Sequence, residues 1–214
     1  MKKNKKGLFL VLEGGEGVGK STNLEFIQHY LQQRHVAFQT SREPGGTELA
    51  EKIRQLILDK HQEPVADMTE LLLVFAARAQ HLQQKILPVL AQGEWMVCDR
   101  FTDATYAYQG GGRQLNKKVI AELEQLVQGD IRPDCVIVLD AAVEVGRARA
   151  VARAELDRME SEAESFHQRV RETYLARAAE RPENYALVDA SQDLESVQRD
   201  IASVLERLIS RWQA

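Results

Sequence analysis

The chain has little cysteine, no long apolar run and no excess of positive charge, and each shortage argues against a class of protein. Only two cysteines occur among its 214 residues, and neither Cys98 nor Cys135 lies in a metal-ligand spacing. No apolar stretch approaches the roughly 18 residues of a membrane span. The formal net charge of −4 gives no general attraction to nucleic acid or anionic membrane. We therefore expect a cytoplasmic protein with buried thiols and without nucleic-acid or membrane partners.

The composition is that of an ordinary globular protein. Hydrophobic residues make up 44% of the chain and charged residues 28%, which supplies enough apolar material for a full core. The basic amino terminus precedes an apolar run that is too short for the core of a signal peptide, so we interpret residues 8–13 as a strand. The length fits one domain with small insertions, or at most two tight lobes, and we take residues 1–214 as a single domain.

Strand-like and helix-like segments alternate from one end of the chain to the other. Short apolar runs predict strands at residues 8–13, 36–40, 95–99, 135–140 and 185–189. Because these runs are continuously apolar rather than alternating, we expect both of their faces to be buried. The sequence therefore predicts an α/β fold in which a five-stranded parallel sheet has helices on both faces.

The helices are predicted from apolar residues that recur at helical spacing. They cover residues 20–34, 49–57, 67–90, 116–127 and 194–212. Asp67 and Glu70 resemble a capping box at the start of the third of these helices. Gly129 is the expected carboxyl-terminal cap of the fourth helix.

A phosphate-binding motif follows the first predicted strand. Residues 14–21, GGEGVGKS, fit the pattern G-x-x-x-x-G-K-[ST] between a buried strand and an amphipathic helix. Glycines let the backbone turn its N–H groups toward phosphates, Lys20 can reach the β- and γ-phosphates, and Ser21 can hold Mg²⁺. The predicted triphosphate-binding residues are Gly14, Gly15, Glu16, Gly17, Val18, Gly19, Lys20, Ser21 and Thr22. A glycine turn that binds no ligand would not need a Lys-Ser pair after its last glycine.

This P-loop alone indicates a nucleoside triphosphate and no particular reaction. A GTPase should carry Asn-Lys-x-Asp after a strand. The chain has Asn-Lys at Asn4-Lys5, before the first predicted strand, and at Asn116-Lys117, which continues with Lys118-Val119 at a helix start, and neither pair is completed by Asp. The sequence therefore argues against a GTPase.

Further charged motifs fall at the ends of the second and third strands. They are REPGGT at residues 42–47, Asp99-Arg100, and YQGGGR at residues 108–113. Ligands of open parallel sheets bind at the carboxyl ends of the strands, and Arg42 and Arg100 exceed what the P-loop phosphates need. They predict a second anionic ligand. The alternatives are surface ion pairs for the arginines, a capping role for Asp99 and a flexible glycine loop.

In combination with the P-loop, these motifs resemble those of the bacterial-type thymidylate kinases, and the resemblance covers nearly all 214 residues. It implies a P-loop NTPase three-layer sandwich with a small, mobile helical lid at about residues 147–164. It also implies transfer of the γ-phosphate of ATP to dTMP, giving dTDP and ADP for dTTP synthesis, with Mg²⁺ and a homodimeric assembly.

The resemblance also implies an acceptor site. The implied dTMP-binding residues are Arg42, Pro44, Phe75, Arg78, Arg100, Thr105, Tyr108 and Gln109. Arg78 would hydrogen-bond thymine, Phe75 would stack on it, and Tyr108 would exclude ribonucleotides at the sugar's 2′ edge. Many relatives carry the stacking aromatic four residues before this arginine, where this chain has Val74. Ser21 and Asp99 are the implied metal ligands.

The implied catalytic residues are Lys20, Arg153, Arg149, Arg100 and Glu16. Arg147 matches the lid arginines less clearly, and a solvated Ala/Arg/Glu helix is the alternative for the lid. We expect catalysis by positioning and charge neutralisation without a general base, because a phosphate monoester is largely ionised at neutral pH. The rival interpretations are another nucleoside-monophosphate or deoxynucleoside kinase and a P-loop regulatory switch.

Overall fold

A computed structural model describes residues 6–153 and 157–213, with the side chains of 150–153 outside the description. The five strands are β1 (Phe9–Gly14), β2 (Phe38–Arg42), β3 (Trp95–Asp99), β4 (Cys135–Asp140) and β5 (Tyr185–Asp189). They form one parallel sheet in the order β2-β3-β1-β4-β5. The α/β class and the parallel sheet are thereby confirmed. The strands β1 and β2 begin one and two residues later than predicted, respectively.

The helices are α1 (Lys20–Gln33), α2 (Glu48–Leu58), α3 (Asp67–His81), α4 (Leu87–Ala91), α5 (Thr102–Thr105), α6 (Lys117–Gln128), α7 (Val143–Arg153), α8 (Glu164–Glu180) and α9 (Leu194–Gln213). Two π-helical segments, Leu82–Ile86 and Tyr106–Gly112, follow α3 and α5 directly. The predicted long helix is therefore continuous but irregular. Its π segment precedes Pro88, which has no N–H to continue the α-helical ladder.

The sheet separates two apolar cores. In β1, Leu10 and Leu12 face α1 and α9, while Phe9 and Val11 face α8 and the α3–α4 side. This alternation gives the predicted three layers, because each face of β1 is covered by helices. The edge strands differ from expectation: β2 and β5 are only partly buried, since a strand at an edge lacks a neighbour on one side.

The start of α3 corrects one sequence prediction. Asp67 is the first helical residue, and Ala66 occupies the cap position without a side-chain hydrogen bond. Glu70 is fully buried and accepts hydrogen bonds from Gln109, Arg113 and Arg158 instead of closing a capping box. The predicted capping box is therefore wrong, because the Glu70 carboxylate binds side chains and not the backbone at the start of α3. By contrast, Gly129 is the carboxyl-terminal cap of α6, as predicted.

The predicted lid region at 147–164 includes the carboxyl-terminal part of α7 and a turn at residues 157–161 that leads to α8. Its central residues 154–156 lie outside the described ranges. Within those ranges, no helix combines the length and apolar character that crossing a bilayer requires.

Candidate active site

A cavity of about 650 Å³ lies at the carboxyl ends of the strands, between the P-loop, α2, α3 and the turn after α7. It brings together most of the predicted site residues: Glu16, Gly17, Gly19, Lys20, Ser21, Thr22, Pro44, Arg78, Asp99, Arg100, Thr105, Tyr108, Gln109 and Arg149. Gly15 and Val18 line a much smaller hollow on the other side of the glycine turn, and Gly14 ends β1.

The P-loop wraps its backbone around the ammonium group of its own lysine. Lys20 Nζ donates to the carbonyl oxygens of Gly14 (3.1 Å) and Gly15 (2.6 Å). Burial and the charge of Arg100 lower the pKa of Lys20 to about 8, although the carboxylates of Glu16 and Asp99 act in the opposite direction. A phosphate at this point would supply the negative charge that the buried ammonium needs.

The glycine turn also touches α7 directly. Gly17 has a left-handed backbone (φ 67°), and a Cβ there would lie 1.9 Å from the carbonyl oxygen of Gly146. Two backbones can approach this closely only where both residues lack side chains. The contact fixes the first part of α7 against the P-loop and positions Arg149 at the cavity, where its Nη1 donates to the carbonyl oxygen of Ala190 (3.2 Å).

Arg100 connects the P-loop to the other half of the cavity. Its Nη1 donates to Gly14 O (2.9 Å) and to the Tyr174 hydroxyl (3.1 Å), and its Nη2 donates to Glu16 Oε1 (2.6 Å). The guanidinium also lies 4.8 Å from the ring centroid of Tyr108. Burial alone would raise the pKa of Glu16, but the charges of Arg100 and Lys20 lower it to about 2. Glu16 is therefore ionised and holds Arg100 in place.

Asp99 and Ser21 provide oxygen ligands suited to Mg²⁺. Asp99 Oδ1 is buried and finds no hydrogen-bond partner among the described residues. Ser21 is the second residue of α1 and lines the same cavity. Because Mg²⁺ prefers one or two protein oxygens together with water and substrate phosphates, this sparse set fits the metal.

Arg78 is almost completely buried and leaves one donor free. Its Nε donates to Glu43 Oε2 (2.7 Å), and its Nη2 donates to Phe101 O (3.0 Å) and Thr105 Oγ1 (2.9 Å). Its Nη1 is buried and has no partner in the part of the chain that the structure describes. Because Arg78 lines the cavity and a buried donor needs a partner, we expect this nitrogen to donate to a ligand.

The structure places two of the predicted acceptor residues elsewhere. Phe75 packs in the core under the Arg78 guanidinium, 5.0 Å from ring centroid to Cζ, while Val74 lines the cavity. One residue corresponds to about 100° around a helix, which explains the difference. Arg42 forms two hydrogen bonds to Glu51 (3.2 and 2.8 Å) and lines an adjoining, more open groove that shares Ser21 and Asp99 with the cavity.

Sequence reasoning missed Arg54. It lines the cavity from α2, and its Nη1 donates to Pro44 O (3.0 Å). Burial and the charges of Arg42 and Arg100 lower the pKa of Arg54, although the carboxylates of Glu51 and Asp99 act in the opposite direction. A signal was present, since Arg54 falls between Ala50 and Ile57 on the apolar face of α2.

Comparisons with known proteins agree with this geometry. The sequence model described as thymidylate kinase matches residues 12–201. A thymidylate kinase of Ectopseudomonas mendocina (strain ymp) is 57% identical over 203 residues, covering 95% of this chain and 97% of that protein. One of Alcanivorax borkumensis is 57% identical over 202 residues, covering 94% and 97%.

A solved structure, the thymidylate kinase from Ehrlichia chaffeensis, superposes with a TM-score of 0.75 at 29% identity, covering 94% of this chain and 99% of that one. On this match and on the identities above, the chain belongs to the thymidylate kinase family.

Proposed function

We propose that this chain, acting as one kinase domain over residues 1–214, transfers the γ-phosphate of ATP to dTMP and releases dTDP and ADP. The observation that carries the proposal is the set of cations that line one cavity. Lys20 and Arg100 both donate to the Gly14 carbonyl oxygen, and Arg54 lines the same cavity from α2. A donor triphosphate and an acceptor monophosphate are the ligands that this charge arrangement fits.

The donor half of the proposed site is the P-loop. The N–H groups of residues 15–22 and the amino end of α1 favour the phosphates, and Lys20 turns from its carbonyl partners to the β- and γ-oxygens. Ser21 and Asp99 would hold Mg²⁺, which when bound neutralises charge on the donor phosphates.

The acceptor half recognises a pyrimidine nucleotide. Arg54 and Arg100 bind the phosphate, and the free Nη1 of Arg78 donates to a base oxygen. Thr105, Tyr108, Gln109 and Pro44 surround the nucleoside. We propose Val74 in place of Phe75 as the residue against the base, and Arg54 in place of Arg42 at the phosphate, because Val74 and Arg54 line the cavity.

Catalysis in this site is positioning and charge neutralisation. Both partners are anions, so Lys20, Arg100 and Arg149 reduce the repulsion as the phosphates approach. Glu16 keeps Arg100 between the two halves through its 2.6 Å ion pair. Arg153 adds a cation from α7, and no general base is required, because the acceptor phosphate is already ionised.

The first prediction concerns the acceptor. Purified protein with ATP and Mg²⁺ should form ADP only when dTMP is present, because a kinase site that excludes water suppresses ATP hydrolysis. A coupled ADP assay with dTMP, dUMP, UMP, CMP and thymidine measures this directly. ADP release at the same rate without any acceptor would contradict the proposal and favour a regulatory switch.

The second prediction concerns Arg54. Arg54→Ala should raise KM for dTMP by roughly 10- to 100-fold while KM for ATP stays nearly constant, because only the acceptor phosphate loses a charged hydrogen bond. Steady-state kinetics with each substrate varied separately will measure it. Lys52→Ala is the matched control, since Lys52 is an exposed cation on the same helix paired with Glu48. An equal rise in both KM values would argue against an acceptor role.

The third prediction concerns Arg153, whose side chain lies outside the described part of the chain. Arg153→Ala should lower kcat by roughly 10³-fold, as expected for an arginine that stabilises the transferring phosphoryl group. The exposed Arg181 supplies the control variant Arg181→Ala, which should retain normal turnover. Near-normal kcat in the Arg153 variant would refute the role.

We also propose a homodimer that forms through α2, α3 and α6. Exposed apolar side chains gather there, with α3 in contact with both neighbours: Leu49, Leu56, Met68, Leu72 and Leu126. The Leu126 side chain is 81% exposed, and a partner subunit would cover it. The free, buried thiols of Cys98 and Cys135 support a cytoplasmic location for this assembly.

The fourth prediction tests that surface. Light scattering after size exclusion should give twice the chain mass of 24.2 kDa for the unmodified protein. Leu72→Glu should give the monomer mass, because a charge would be buried in the interface. Leu194→Glu should remain dimeric, since Leu194 is equally exposed (50%) but lies on α9. A monomeric unmodified protein would contradict the proposed assembly.

A further inference from the structure

Glu70 joins three parts of the cavity wall through one buried carboxylate. It lies on α3 with 0% of its surface exposed. Its Oε1 accepts from Gln109 Nε2 (2.7 Å), and its Oε2 accepts from Arg158 Nη2 (2.6 Å) and Arg113 Nη2 (3.2 Å). Gln109 lines the cavity, whereas Glu70 itself is set behind it.

The carboxylate of Glu70 is ionised. Burial opposes the charge, but the hydrogen bonds from Gln109, Arg113 and Arg158, together with the charge of Arg113, outweigh burial and lower the pKa. An ionised carboxylate can only accept hydrogen bonds. The end of the Gln109 side chain that faces Glu70 must therefore be the NH₂ group, because the amide oxygen would meet a second acceptor there.

This contact determines what Gln109 presents to a ligand. An amide has one donor end and one acceptor end, and the donor end is taken by Glu70. The carbonyl oxygen Oε1 is the end left for the cavity. Arg78, on the same wall, presents the opposite kind of group, because its free Nη1 can only donate.

We propose that Glu70 is a positioning residue that orients the Gln109 amide and so makes the site select a pyrimidine with a protonated N3; this rests on the function proposed above. Thymine offers an N3–H donor beside the O4 acceptor, which complements the Gln109 oxygen and the Arg78 donor. Cytosine reverses both groups, with an N3 acceptor beside an amino donor. Glu70 thereby contributes to base choice without touching the base.

The same carboxylate also supports the turn that covers the cavity. Arg158 donates from Nε to Ile57 O (2.8 Å) as well as to Glu70, and its neighbours Asp157 and Met159 line the cavity. A loss of this support would weaken binding of every nucleotide alike. The experiment must therefore separate base selection from support of the turn.

The test compares Glu70→Gln with the unmodified protein in binding dTMP and 5-methyl-dCMP, which differ only at positions 3 and 4 of the base. In the variant, the side-chain oxygen of residue 70 stays with the Nη2 groups of Arg113 and Arg158, and its NH₂ faces Gln109 with loss of only the long contact from Arg113 Nε (3.3 Å). Gln109 must then turn its own NH₂ toward the cavity. The affinity ratio of dTMP to 5-methyl-dCMP, measured by calorimetry, should fall by roughly 10- to 100-fold, as expected for one mismatched hydrogen bond to the base.

Arg158→Gln is the matched control, because it removes a Glu70 partner and leaves the Gln109 contact intact. It should weaken both nucleotides equally and keep the ratio. Glu70→Asp retains the charge for the arginines and withdraws the carboxylate from Gln109, so the same fall in ratio is expected if the Gln variant does not fold. An unchanged ratio in both Glu70 variants would overturn the role of Glu70 and leave the proposed kinase function standing. Equal affinity of the unmodified protein for the two nucleotides would overturn the proposed dTMP specificity as well.

Discussion

The ion pair between Arg100 and Glu16 is the interaction that makes one cavity out of two strand ends. Arg100 follows β3 with a left-handed backbone (φ 65°), which is costly for a side chain of this size. Its guanidinium donates hydrogen bonds to Gly14, Tyr174 and Glu16. One cation therefore connects the P-loop, α8 and the loop after β3. Without that cation, Glu16 would lose the main influence that keeps it ionised in a partly buried position.

The architecture could be predicted from the sequence because it depends on the spacing and length of apolar runs. Continuous apolar runs predicted every strand to within two residues, and the parallel direction of the strands followed from the helices between them. The P-loop was equally readable, since its glycines serve a backbone geometry that few other residues permit. Residues fixed by backbone position, such as Lys20, Asp99 and Arg100, accordingly line the cavity.

Side chains fixed by competition among partners were less predictable. Arg42 lies at the predicted strand end but pairs with the carboxylate of Glu51 on α2. The sequence alone does not show that these two side chains lie close together. Phe75 and Val74 differ by one step around α3, and only the packing of Leu71, Tyr106 and Ile120 determines which of them faces inward. Glu70 had the spacing of a capping residue, yet two arginines from distant segments bind it more strongly.

The backbone contact between Gly17 and Gly146 has a mechanical consequence. Because no side chain separates these two backbone segments, the P-loop cannot shift without displacing the first turn of α7. The contact therefore acts as a fulcrum. Arg153 is seven residues farther along α7, which corresponds to a lever arm of roughly 10 Å. A tilt of about 10° around the fulcrum would carry the far end of α7 through roughly 2 Å, a distance comparable to the difference between a formed and a broken ion pair. Filling the triphosphate pocket would thus be transmitted to the arginines of α7 as a movement.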